Sequence, residues 1–389
     1  MLQENILVKY NELSKDLNFS RFMLIANHNN TIYYTKDGKA CGEKSYEKFN
    51  KGFRENVAVK LAKQGARVVA IFSSKNILKC TKGIPTMLDD FTEIFGGKIK
   101  AVKKEENKVL HALNKRKAVI VKDSYAIVVA RSLDEAGTMC RIIEKNAFVL
   151  DKAKKYVTIN AIVAKGMNIG YTKYYSRENQ QRVWDKELSE PIETVKIDKI
   201  SIEDINKANK KQQTLLVAKK LYADNFTQGT WGNVSIRIDD KTLYCTPKAI
   251  GYNLLKEDDI VTMDFTKNEQ IAGNTVATSE KGIHCRVMRE HSDSYVVVHA
   301  HPPFSSVFAA RNEELIVSDE GKAVLGDKVS CSKHAIPMTK RLANNTVNSM
   351  NKNAVFMGNH GVAVYGKDIE EVFLVLKTLE KEARKALNN

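Results

Sequence analysis

Two histidines stand two residues apart after a run of valines, and a third histidine follows near the end of the chain. His299 and His301 occur in Val296-Val297-Val298-His299-Ala300-His301-Pro302-Pro303, and His360 occurs in Gly358-Asn359-His360-Gly361. A run of β-branched residues predicts a buried strand, and residues two apart on a strand point to the same face. We therefore expect the imidazoles of His299 and His301 to lie side by side, as two ligands of one metal ion would.

A carboxylate, Glu280, precedes the predicted strand. Thr278-Ser279-Glu280 opens a stretch with helical character that runs to about His291. Three neutral imidazoles with an open or carboxylate-filled fourth position are the ligand set of a catalytic divalent cation, most often zinc. A single histidine is more often a packed or surface residue, but five of the eight histidines lie between residues 284 and 334. This clustering favours a metal site over isolated structural histidines.

Five motifs make the segment from about residue 203 to 389 resemble the class II aldolase/adducin family. In the order of that family they are Gln228-Gly229-Thr230-Trp231-Gly232-Asn233-Val234-Ser235, Thr246-Pro247-Lys248-Ala249 followed by Asp258-Asp259-Ile260-Val261, Thr278-Ser279-Glu280, His299-Ala300-His301, and Asn359-His360-Gly361. The resemblance implies layers of helices around a largely antiparallel central sheet. Periodicity alone indicates only an α/β or α+β fold.

The resemblance also implies a reaction: the retro-aldol cleavage of a small phosphorylated ketose. It makes His299, His301 and His360 the ligands of Zn²⁺, or of another divalent cation such as Mn²⁺ or Co²⁺. The cation would act as a Lewis acid that stabilises the enediolate left when the carbon–carbon bond breaks. Glu280 would move protons at the enediolate carbon, or fill the fourth metal position when the site is empty. An acid at a helix start is also stabilised by the helix dipole, and the two roles are compatible.

The family's enzymes hold the substrate phosphate with hydroxyl, amide and backbone N–H groups at turns and a helix start. Carried over by motif, these positions are Thr230, Asn233, Lys248, Ala249, Thr278 and Ser279. At Lys248 and Ala249 the family commonly has a small hydroxyl residue and a glycine. Alanine tolerates positive φ and close backbone approach less well than glycine does. The two substitutions therefore leave the phosphate geometry, and with it the identity of the sugar, open.

A second departure concerns the group that would protonate the departing aldehyde. The family's aldolases place a tyrosine between the paired and the third histidine, whereas the stretch 310–334 contains no tyrosine. Asp319, Glu320, His334 or a group from another domain could take this role, and the sequence does not select among them.

The first half of the sequence repeats the pattern of the second. Lys117–Val129 aligns with Asn353–Tyr365, and Val68–Phe72 aligns with Val297–His301. The helical stretches that follow also match, and Ser132 is a good N-cap for the first of them. We interpret this as an internal duplication with a period near 230 residues. The alternative is an unrelated first domain whose strands and helices match by coincidence.

The first copy lacks the metal ligands under this alignment. The positions that match the three histidines are Ala70, Phe72 and Ser124, and Asn50 matches Glu280. We therefore predict two related three-layer α/β/α domains, each a mostly antiparallel central sheet flanked by helices. Residues 1–195 would form a degenerate class II aldolase-like domain, and residues 196–389 the catalytic domain. The stretch 157–193 is interpreted as the tail of the first domain and a connection.

Composition indicates the compartment. No apolar stretch approaches the roughly 18 residues of a membrane span, and the first residues, Met1-Leu2-Gln3-Glu4-Asn5, lack the basic and apolar regions of a signal peptide. The six cysteines are scattered without CxxC pairs and are predicted to be reduced thiols. We therefore expect a soluble cytoplasmic protein.

The net charge of +16 is uneven, with +13 in residues 1–195 and +3 in residues 196–389. A basic half can indicate affinity for nucleic acid or another anionic partner, or a lysine-rich solvated surface. The lysines are dispersed and no recognised nucleic-acid motif accompanies them, so we expect a solvated surface and no nucleic-acid partner.

The leading prediction is thus a metal-dependent class II aldolase acting on a small phosphorylated sugar. Two alternatives use the same metal site, a sugar-phosphate epimerase and a dehydratase. A third is a non-catalytic adducin-like binding or scaffold protein, against which the complete set of three histidines and Glu280 argues. Relatives of this kind imply a homo-oligomer, either a tetramer or a dimer whose four domains form a ring.

Overall fold

A computed structural model describes residues 1–17, 19–35, 38, 40–49, 52–192, 200–252 and 254–388 of the chain. The chain divides into two compact units. The first comprises Met1–Thr86, Phe91–Asp151 and Asn160–Thr194, and the second comprises Met87–Asp90, Lys152–Ile159 and Val195–Asn389. Two short segments from the first half of the sequence therefore belong to the second unit.

The first unit is built on a seven-stranded sheet. Its strands are β1 (Arg21–His28), β2 (Thr31–Thr35), β3 (Gly42–Ser45), β4 (Val68–Ser73), β5 (Ala101–Val102), β6 (Ala118–Val121) and β7 (Tyr125–Ala130). They lie in the order β3-β2-β1-β4-β7-β6-β5. The pairs are antiparallel except β5 and β6, which are parallel. All six residues of the central strand β4 are buried, as expected for an apolar run covered on both faces.

Helices cover both faces of this sheet. The helices up to residue 189 are α1 (Leu2–Leu17), α2 (Tyr46–Phe49), α3 (Phe53–Lys63), α4 (Lys75–Lys79), α5 (Asp89–Phe95), α6 (Glu106–Leu113), α7 (Leu133–Ala153), α8 (Ala161–Gly170), a π-helical turn (Tyr171–Ser176) and α9 (Arg177–Ser189). Met23 and Ile71 pack with Val57 of α3 in one apolar cluster. Phe22, which points to the other face, stacks on Tyr10 of α1 with 4.7 Å between ring centroids. The unit is therefore a three-layer α/β/α structure.

The stretch 157–192, interpreted from the sequence as a domain tail and a connection without assigned elements, is largely helical. It contains α8, the π-helical turn and α9. The Asn160 side chain caps α8 by accepting from the backbone N–H of Ile162 at 2.9 Å. Trp184 and Glu187 of α9 are buried in an otherwise polar helix. Among the residues of α9 whose burial is described, 181–189, the sequence Gln-Arg-Val-Trp-Asp-Lys-Glu-Leu-Ser gives a periodic signal too weak to be recognised.

The second unit is built on an eight-stranded sheet. Its strands are β8 (Asn233–Arg237), β9 (Thr242–Cys245), β10 (Val261–Asp264), β11 (Glu269–Ala272), β12 (Val296–Ala300), β15 (Cys331–Ser332), β16 (Ala354–Met357) and β17 (Gly361–Gly366), while β13 (Leu315–Ile316) and β14 (Lys328–Val329) form a separate pair. The order in the large sheet is β11-β10-β9-β8-β12-β17-β16-β15. Its pairs are antiparallel except β15 and β16.

Helices also cover both faces of the second sheet. They are α10 (Ile202–Lys207), α11 (Lys210–Ala223), α12 (Lys281–Glu290), α13 (Pro303–Arg311), α14 (Asp319–Leu325), α15 (Lys340–Asn348) and α16 (Ile369–Asn388), with a 3₁₀ turn at Glu257–Asp259. Val296 and Val298 of β12 pack in one cluster with Leu376 of α16. Val297 packs in another cluster with Val287 of α12. The alternation along β12 therefore directs His299 to the side of α12, and the predicted three-layer fold is confirmed.

The two sheets share one topology over seven strands. The order β3-β2-β1-β4-β7-β6-β5 matches β10-β9-β8-β12-β17-β16-β15, and the one parallel pair occupies the same edge in both. The turn before β7 and the turn before β17 also agree, since Asp123 has a φ of 54° and Asn359 a φ of 55°. This agreement supports the predicted duplication.

The pairing register corrects the alignment of the two copies by one residue. His299 pairs with Ala363, and the matching residue of the first unit, Ile127, pairs with Ile71 rather than with Ala70. A shift of one residue turns a side chain to the opposite face of the sheet. The first-copy positions that correspond to the three histidines are therefore Ile71, Ser73 and Ser124, in place of Ala70, Phe72 and Ser124. They include no imidazole, and Asn50, the predicted match of Glu280, lies outside the described residues.

Within the described part of the chain, no helix combines the length and the apolar character that crossing a bilayer requires.

A half-buried carboxylate fixes the helix that follows the paired histidines. Glu380 of α16 accepts from the backbone N–H groups of Phe304 and Ser305 at 2.7 and 2.9 Å, and from the Ser305 hydroxyl at 2.7 Å. These are N–H groups of the first turn of α13, which have no partner within the helix. Glu380 thus holds α13 directly after the Pro302-Pro303 step.

Replacing Glu380 by alanine should destabilise the second unit by about 1–3 kcal/mol, because two N–H groups of the first turn of α13 and a hydroxyl, all partly shielded from water, lose their acceptor. Urea unfolding followed by the fluorescence of Trp231, in a Trp184→Phe background, measures this unit separately, because these are the chain's two tryptophans.

Glu370→Ala is the matched control, because Glu370 is an exposed carboxylate on the same helix. It should cost less than about 1 kcal/mol. Equal destabilisation by the two substitutions would contradict the role of Glu380.

Candidate metal centre

Three structural elements bring four side chains of the second unit together. The strand β12 carries His299, and His301 follows one residue after its end. The turn between β16 and β17 carries His360, and Glu280 is the N-cap residue of α12. The histidines are 1%, 0% and 3% exposed, so the cluster is shielded from bulk water.

The Nε2 atoms of the three histidines converge. That of His299 lies 2.9 Å from that of His301 and 3.0 Å from that of His360. The Glu280 carboxylate contributes two further short contacts, with Oε2 3.3 Å from Nε2 of His299 and Oε1 3.0 Å from Nε2 of His360. Ligands around a tetrahedral zinc ion with bonds of 2.0–2.1 Å are about 3.3 Å apart. These four distances are therefore close to the spacing between ligands of a tetrahedral ion.

The other ring nitrogen of each histidine faces an acceptor. Nδ1 of His299 donates to the carbonyl oxygen of Val362 at 2.8 Å, and Nδ1 of His360 donates to Oδ2 of Asp89 at 2.6 Å. Nδ1 of His301 lies 3.4 Å from Oδ2 of Asp90. These acceptors favour a hydrogen on each Nδ1, and a neutral ring with that tautomer presents the lone pair of Nε2 to a cation.

These contacts test whether a cation fits. Three lone pairs that face one another at about 3 Å repel unless a positive charge lies among them. A second acceptor behind each imidazole is the usual environment of a metal-bound histidine, because it fixes the tautomer and makes the ring more basic. Within the described residues, the group of His, Cys, Asp and Glu side chains close enough to share an ion is His299, His301 and His360. The donor set therefore fits a divalent cation with nitrogen and carboxylate ligands.

The carboxylates Asp89 and Asp90 come from a distant part of the sequence. They are 1% and 0% exposed and belong to the short segment 87–90 of the second unit. The backbone N–H of Asp89 donates to the carbonyl oxygen of Asn359 at 2.8 Å. The Asn359 side chain in turn donates to the carbonyl oxygens of Met87 and Val157, at 2.9 and 2.7 Å. Asn359 therefore ties both first-half segments to the turn that carries His360.

Electrostatics couple Glu280 to His360. Burial by itself would raise the pKa of Glu280, but His299 and His360 hold that pKa well below its ordinary value. Burial by itself would lower the pKa of His360, but the carboxylates of Glu280 and Asp89 raise that pKa well above its ordinary value. Without a metal, a proton on His360 supplies the positive charge that Glu280 and Asp89 require. A cation would take the place of that proton at Nε2.

A buried network orients Glu280. Nδ2 of Asn233 donates to Oε2 of Glu280 at 2.9 Å, and Oδ1 of Asn233 accepts from Nε2 of His284 at 2.5 Å. Nδ1 of His284 then accepts from the Ser235 hydroxyl at 2.8 Å. Burial lowers the pKa of His284 to about 3, which keeps the ring neutral. The network therefore fixes the orientation of the Glu280 carboxylate through neutral hydrogen-bonding groups, and it adds no charge to the site.

Three segments meet beside Glu280 and carry most of the residues predicted to bind phosphate. The backbone N–H and hydroxyl of Thr246 bond to the carbonyl and N–H of Val234, next to Asn233. Pro247 pairs with Ala277 in an antiparallel manner, so Thr246 lies opposite Thr278, and Lys248 N–H donates to the carbonyl oxygen of Val276 at 2.9 Å. Thr230 lies in the turn that precedes β8, where Trp231 N–H donates to the carbonyl oxygen of Gln228 at 3.1 Å.

Two of these predicted positions have features that the sequence did not reveal. Ala249 has a φ of 62°, so it adopts the left-handed conformation that favours glycine. The Asn233 side chain is occupied by Glu280 and His284, so its amide orients the carboxylate. A phosphate would therefore meet the remaining hydroxyl, lysine and backbone groups of Thr230, Lys248, Thr278 and Ser279.

The three residues considered from the sequence as proton donors to the aldehyde lie in different surroundings. Nε2 of His334 lies 3.0 Å from Oδ1 of Asp89, so His334 is connected to His360 through that carboxylate. Asp319 and Glu320 have side chains 95% and 63% exposed and pair with surface lysines. The structure therefore brings His334 to the centre, and it leaves Asp319 and Glu320 on the surface.

Sequence reasoning missed Asp89, Asp90 and His284. His284 lies four residues after Glu280, and this i, i+4 spacing on one helix face is a signal that could have identified it. No local pattern marks Asp89 and Asp90, which are separated from the histidines by more than 200 residues.

Replacing Asp89 by asparagine should lower the affinity for Zn²⁺ about 10- to 100-fold, because a neutral amide orients and polarises His360 less well than a carboxylate does. Competition between the purified chain and a chromophoric zinc chelator measures this affinity.

Asp240→Asn is the matched control, because Asp240 is an exposed carboxylate of the same unit. It should leave zinc affinity unchanged. An Asp89→Asn protein that binds zinc as tightly as the unaltered chain would show that this carboxylate does not support the centre.

Known proteins share the second half of this chain. The family model described as Class II Aldolase and Adducin N-terminal domain matches residues 212–387. The L-fuculose phosphate aldolase of Methanocaldococcus jannaschii is 32% identical over 180 residues, which are 46% of this chain and 96% of that protein. The 5-deoxy-D-ribulose 1-phosphate aldolase of Bacillus thuringiensis serovar kurstaki is 28% identical over 172 residues, or 44% of this chain and 80% of that protein.

A solved structure of an L-fuculose 1-phosphate aldolase is 30% identical, covers 45% of this chain and 84% of its own, and aligns with a TM-score of 0.44. On the strength of the family model and the sequence relatives, the chain belongs to the class II aldolase and adducin family.

Proposed function

We propose that this protein is a metal-dependent aldolase that cleaves a small phosphorylated ketose by a retro-aldol reaction. Zn²⁺, or another divalent cation such as Mn²⁺ or Co²⁺, would be held by His299, His301 and His360. The names of the relatives, an L-fuculose phosphate aldolase and a 5-deoxy-D-ribulose 1-phosphate aldolase, support a sugar phosphate as the substrate.

One observation carries the proposal: the convergence of three Nε2 lone pairs and one carboxylate at mutual distances of 2.9–3.3 Å. A bound divalent cation supplies Lewis-acid chemistry, since it polarises a substrate carbonyl and accepts the charge that builds up when the neighbouring bond breaks. A scaffold protein would have no need of such a ligand set, and buried charged groups are costly to keep without a function.

Glu280 is the residue that would move the proton. Its carboxylate stays ionised because His299 and His360 hold its pKa well below the ordinary value against the effect of burial. Retro-aldol cleavage removes a proton from the hydroxyl next to the breaking bond and later delivers one to the carbon left behind. A carboxylate beside the ligands can serve both steps when substrate displaces it from the ligand position. The hydrogen bond from Asn233 would hold the Glu280 carboxylate in its orientation during both steps.

The phosphate of the substrate would bind at the junction of three segments. Thr278 would offer its hydroxyl and Ser279 its hydroxyl and backbone N–H just before α12, and Lys248 would add a positive charge. Thr230 would complete this subsite from the turn before β8. His334, held by Asp89, is the group we assign to hydrogen-bond the oxygen of the departing aldehyde, whose hydroxyl proton passes to Glu280 during cleavage. We further propose that the protein acts as a homo-oligomer, as a tetramer or as a dimer with a ring of four domains.

The test of this proposal joins metal content and turnover in the full-length chain. The purified protein should contain one equivalent of metal, and His299→Ala should lose it, because two imidazoles remain where three are needed.

A panel of ketose 1-phosphates, assayed for release of the three-carbon ketone phosphate with and without a chelator, should contain a substrate. The same assay separates cleavage from epimerisation and dehydration, which release no such fragment. His111→Ala, an exposed histidine of the first unit, is the control.

Glu280→Gln should retain the metal and lower turnover about 10²- to 10⁴-fold, because an amide neither accepts nor returns the proton. Glu269→Gln changes an exposed carboxylate in the same way and should have no effect. Full turnover in the Glu280 variant, or metal still bound in the His299 variant, would refute the proposal.

A further inference from the structure

The first unit contains a cavity that the proposed aldolase chemistry does not use. It has a volume of about 800 Å³ and is lined in part by Arg67, Lys117, Arg131, Glu135 and Lys173. It lies where β4 and β6 begin and β7 ends. Ser73, which corresponds to His301, is at the other end of β4, about 20 Å away along the strand. The cavity is therefore distinct from the position that corresponds to the metal centre.

Positive charge dominates the lining. Among its described residues, four cationic side chains face one carboxylate, that of Glu135. The Arg131 guanidinium binds this carboxylate through Nε and Nη2 at 3.0 and 2.6 Å, and Nζ of Lys117 lies 3.2 Å from it. The Glu135 carboxylate is thus bound by two cations, and the described side chains that line the cavity have a net charge of +3. Such a surplus inside a concave wall attracts anions.

Arg67 is the cation most available to a ligand. Its Nη2 donates to the Gln181 side chain at 2.8 Å, and its guanidinium carbon lies 5.8 Å from the ring centroid of the buried Trp184. Among the residues whose side chains the structure describes, which leaves out 174–180, no carboxylate is paired with Arg67. A guanidinium held by an amide and an aromatic ring is pre-oriented, so little side-chain entropy is lost when it binds phosphate oxygens in a bidentate manner.

Lys117 is positioned in a similar way. Its Nζ lies 5.9 Å from the ring centroid of Tyr171. Burial lowers the pKa of Lys117, with Glu135 opposing this effect. A bound anion would favour the charged amine in the same way as Glu135 does.

The size and the walls of the cavity indicate the kind of anion. A volume of about 800 Å³ lies within the range of small-molecule sites and exceeds the needs of an inorganic ion. Ala66, Val129 and Ala130 add apolar wall beside the cations. We propose that the first unit binds a phosphorylated small molecule in this cavity, with the phosphate between Arg67 and Arg131 and the organic part against the apolar wall. The basic first copy, which lacks the histidines, would then be a ligand-binding unit.

Isothermal titration of the full-length chain with ribose 5-phosphate tests the proposal, with ribose as the uncharged control. Arg67→Gln should weaken ribose 5-phosphate binding about tenfold or more, because one charge-assisted contact is lost. Lys75→Gln removes an exposed cation outside the cavity and should bind as the unaltered chain does. Thermal unfolding of each variant verifies that it is folded.

Lys173→Gln provides a second variant, which alters an exposed side chain and should also weaken binding. The fluorescence of Trp184 in a Trp231→Phe background locates the ligand and should change on addition of ribose 5-phosphate. Unaltered binding in both the Arg67 and Lys173 variants, or binding that is abolished by Lys248→Gln alone, would overturn the proposal. Aldolase activity should persist in the Arg67 variant. A negative result for ligand binding in the cavity would therefore leave the proposed aldolase function untouched.

Discussion

Three imidazole nitrogens with lone pairs face one another in a buried part of the second unit, and they repel unless positive charge lies among them. Nε2 of His299 is only 2.9 and 3.0 Å from the matching atoms of His301 and His360. A proton on His360 balances Glu280 and Asp89 in part, and a divalent cation would satisfy all four ligands together. The strand β12 and the residue after it deliver two of these side chains, and the turn before β17 and the start of α12 deliver one each. Other features of the unit, such as the Asn233–His284 hydrogen-bond network, hold these side chains in their orientations.

The second layer of this centre depends on residues far away in the sequence. Asp89 and Asp90 lie 271 and 211 residues from the histidines that they contact. The family model begins at residue 212, so these carboxylates lie outside the region shared with the family. They are held by backbone bonds to Asn359, which also binds the carbonyl oxygen of Val157. The first half of the sequence therefore contributes directly to the second unit, in addition to forming a unit of its own.

The sequence predicted the features that depend on local pattern. The valine run before His299 became β12, and Ser132 caps α7 by accepting from Glu135 N–H at 3.0 Å. The approach of His299 to His301 was predictable, because spacing on a strand fixes which side chains share a face. The relation between the two halves was also visible, because apolar strands and helix starts recur in the same order.

Other features depend on long-range pairing that a single sequence does not encode locally. Asp89 and Asp90 open a short helix like many surface acids, and only the folded chain brings them behind His360 and His301. The slip that matched Ala70 with His299 has the same origin, because strand register is set by neighbouring strands. Asn233 was assigned to phosphate from its motif, and only the position of His284 shows that its amide is engaged.

X-ray absorption at the zinc edge tests the central claim most directly, because it measures the atoms bound to the ion. A full-length chain loaded with one equivalent of zinc should show three imidazole nitrogens and oxygen at about 2.0–2.2 Å. The His299→Ala chain should lose this pattern. A sulfur shell at about 2.3 Å, or a zinc ion bound by oxygen alone, would contradict the account.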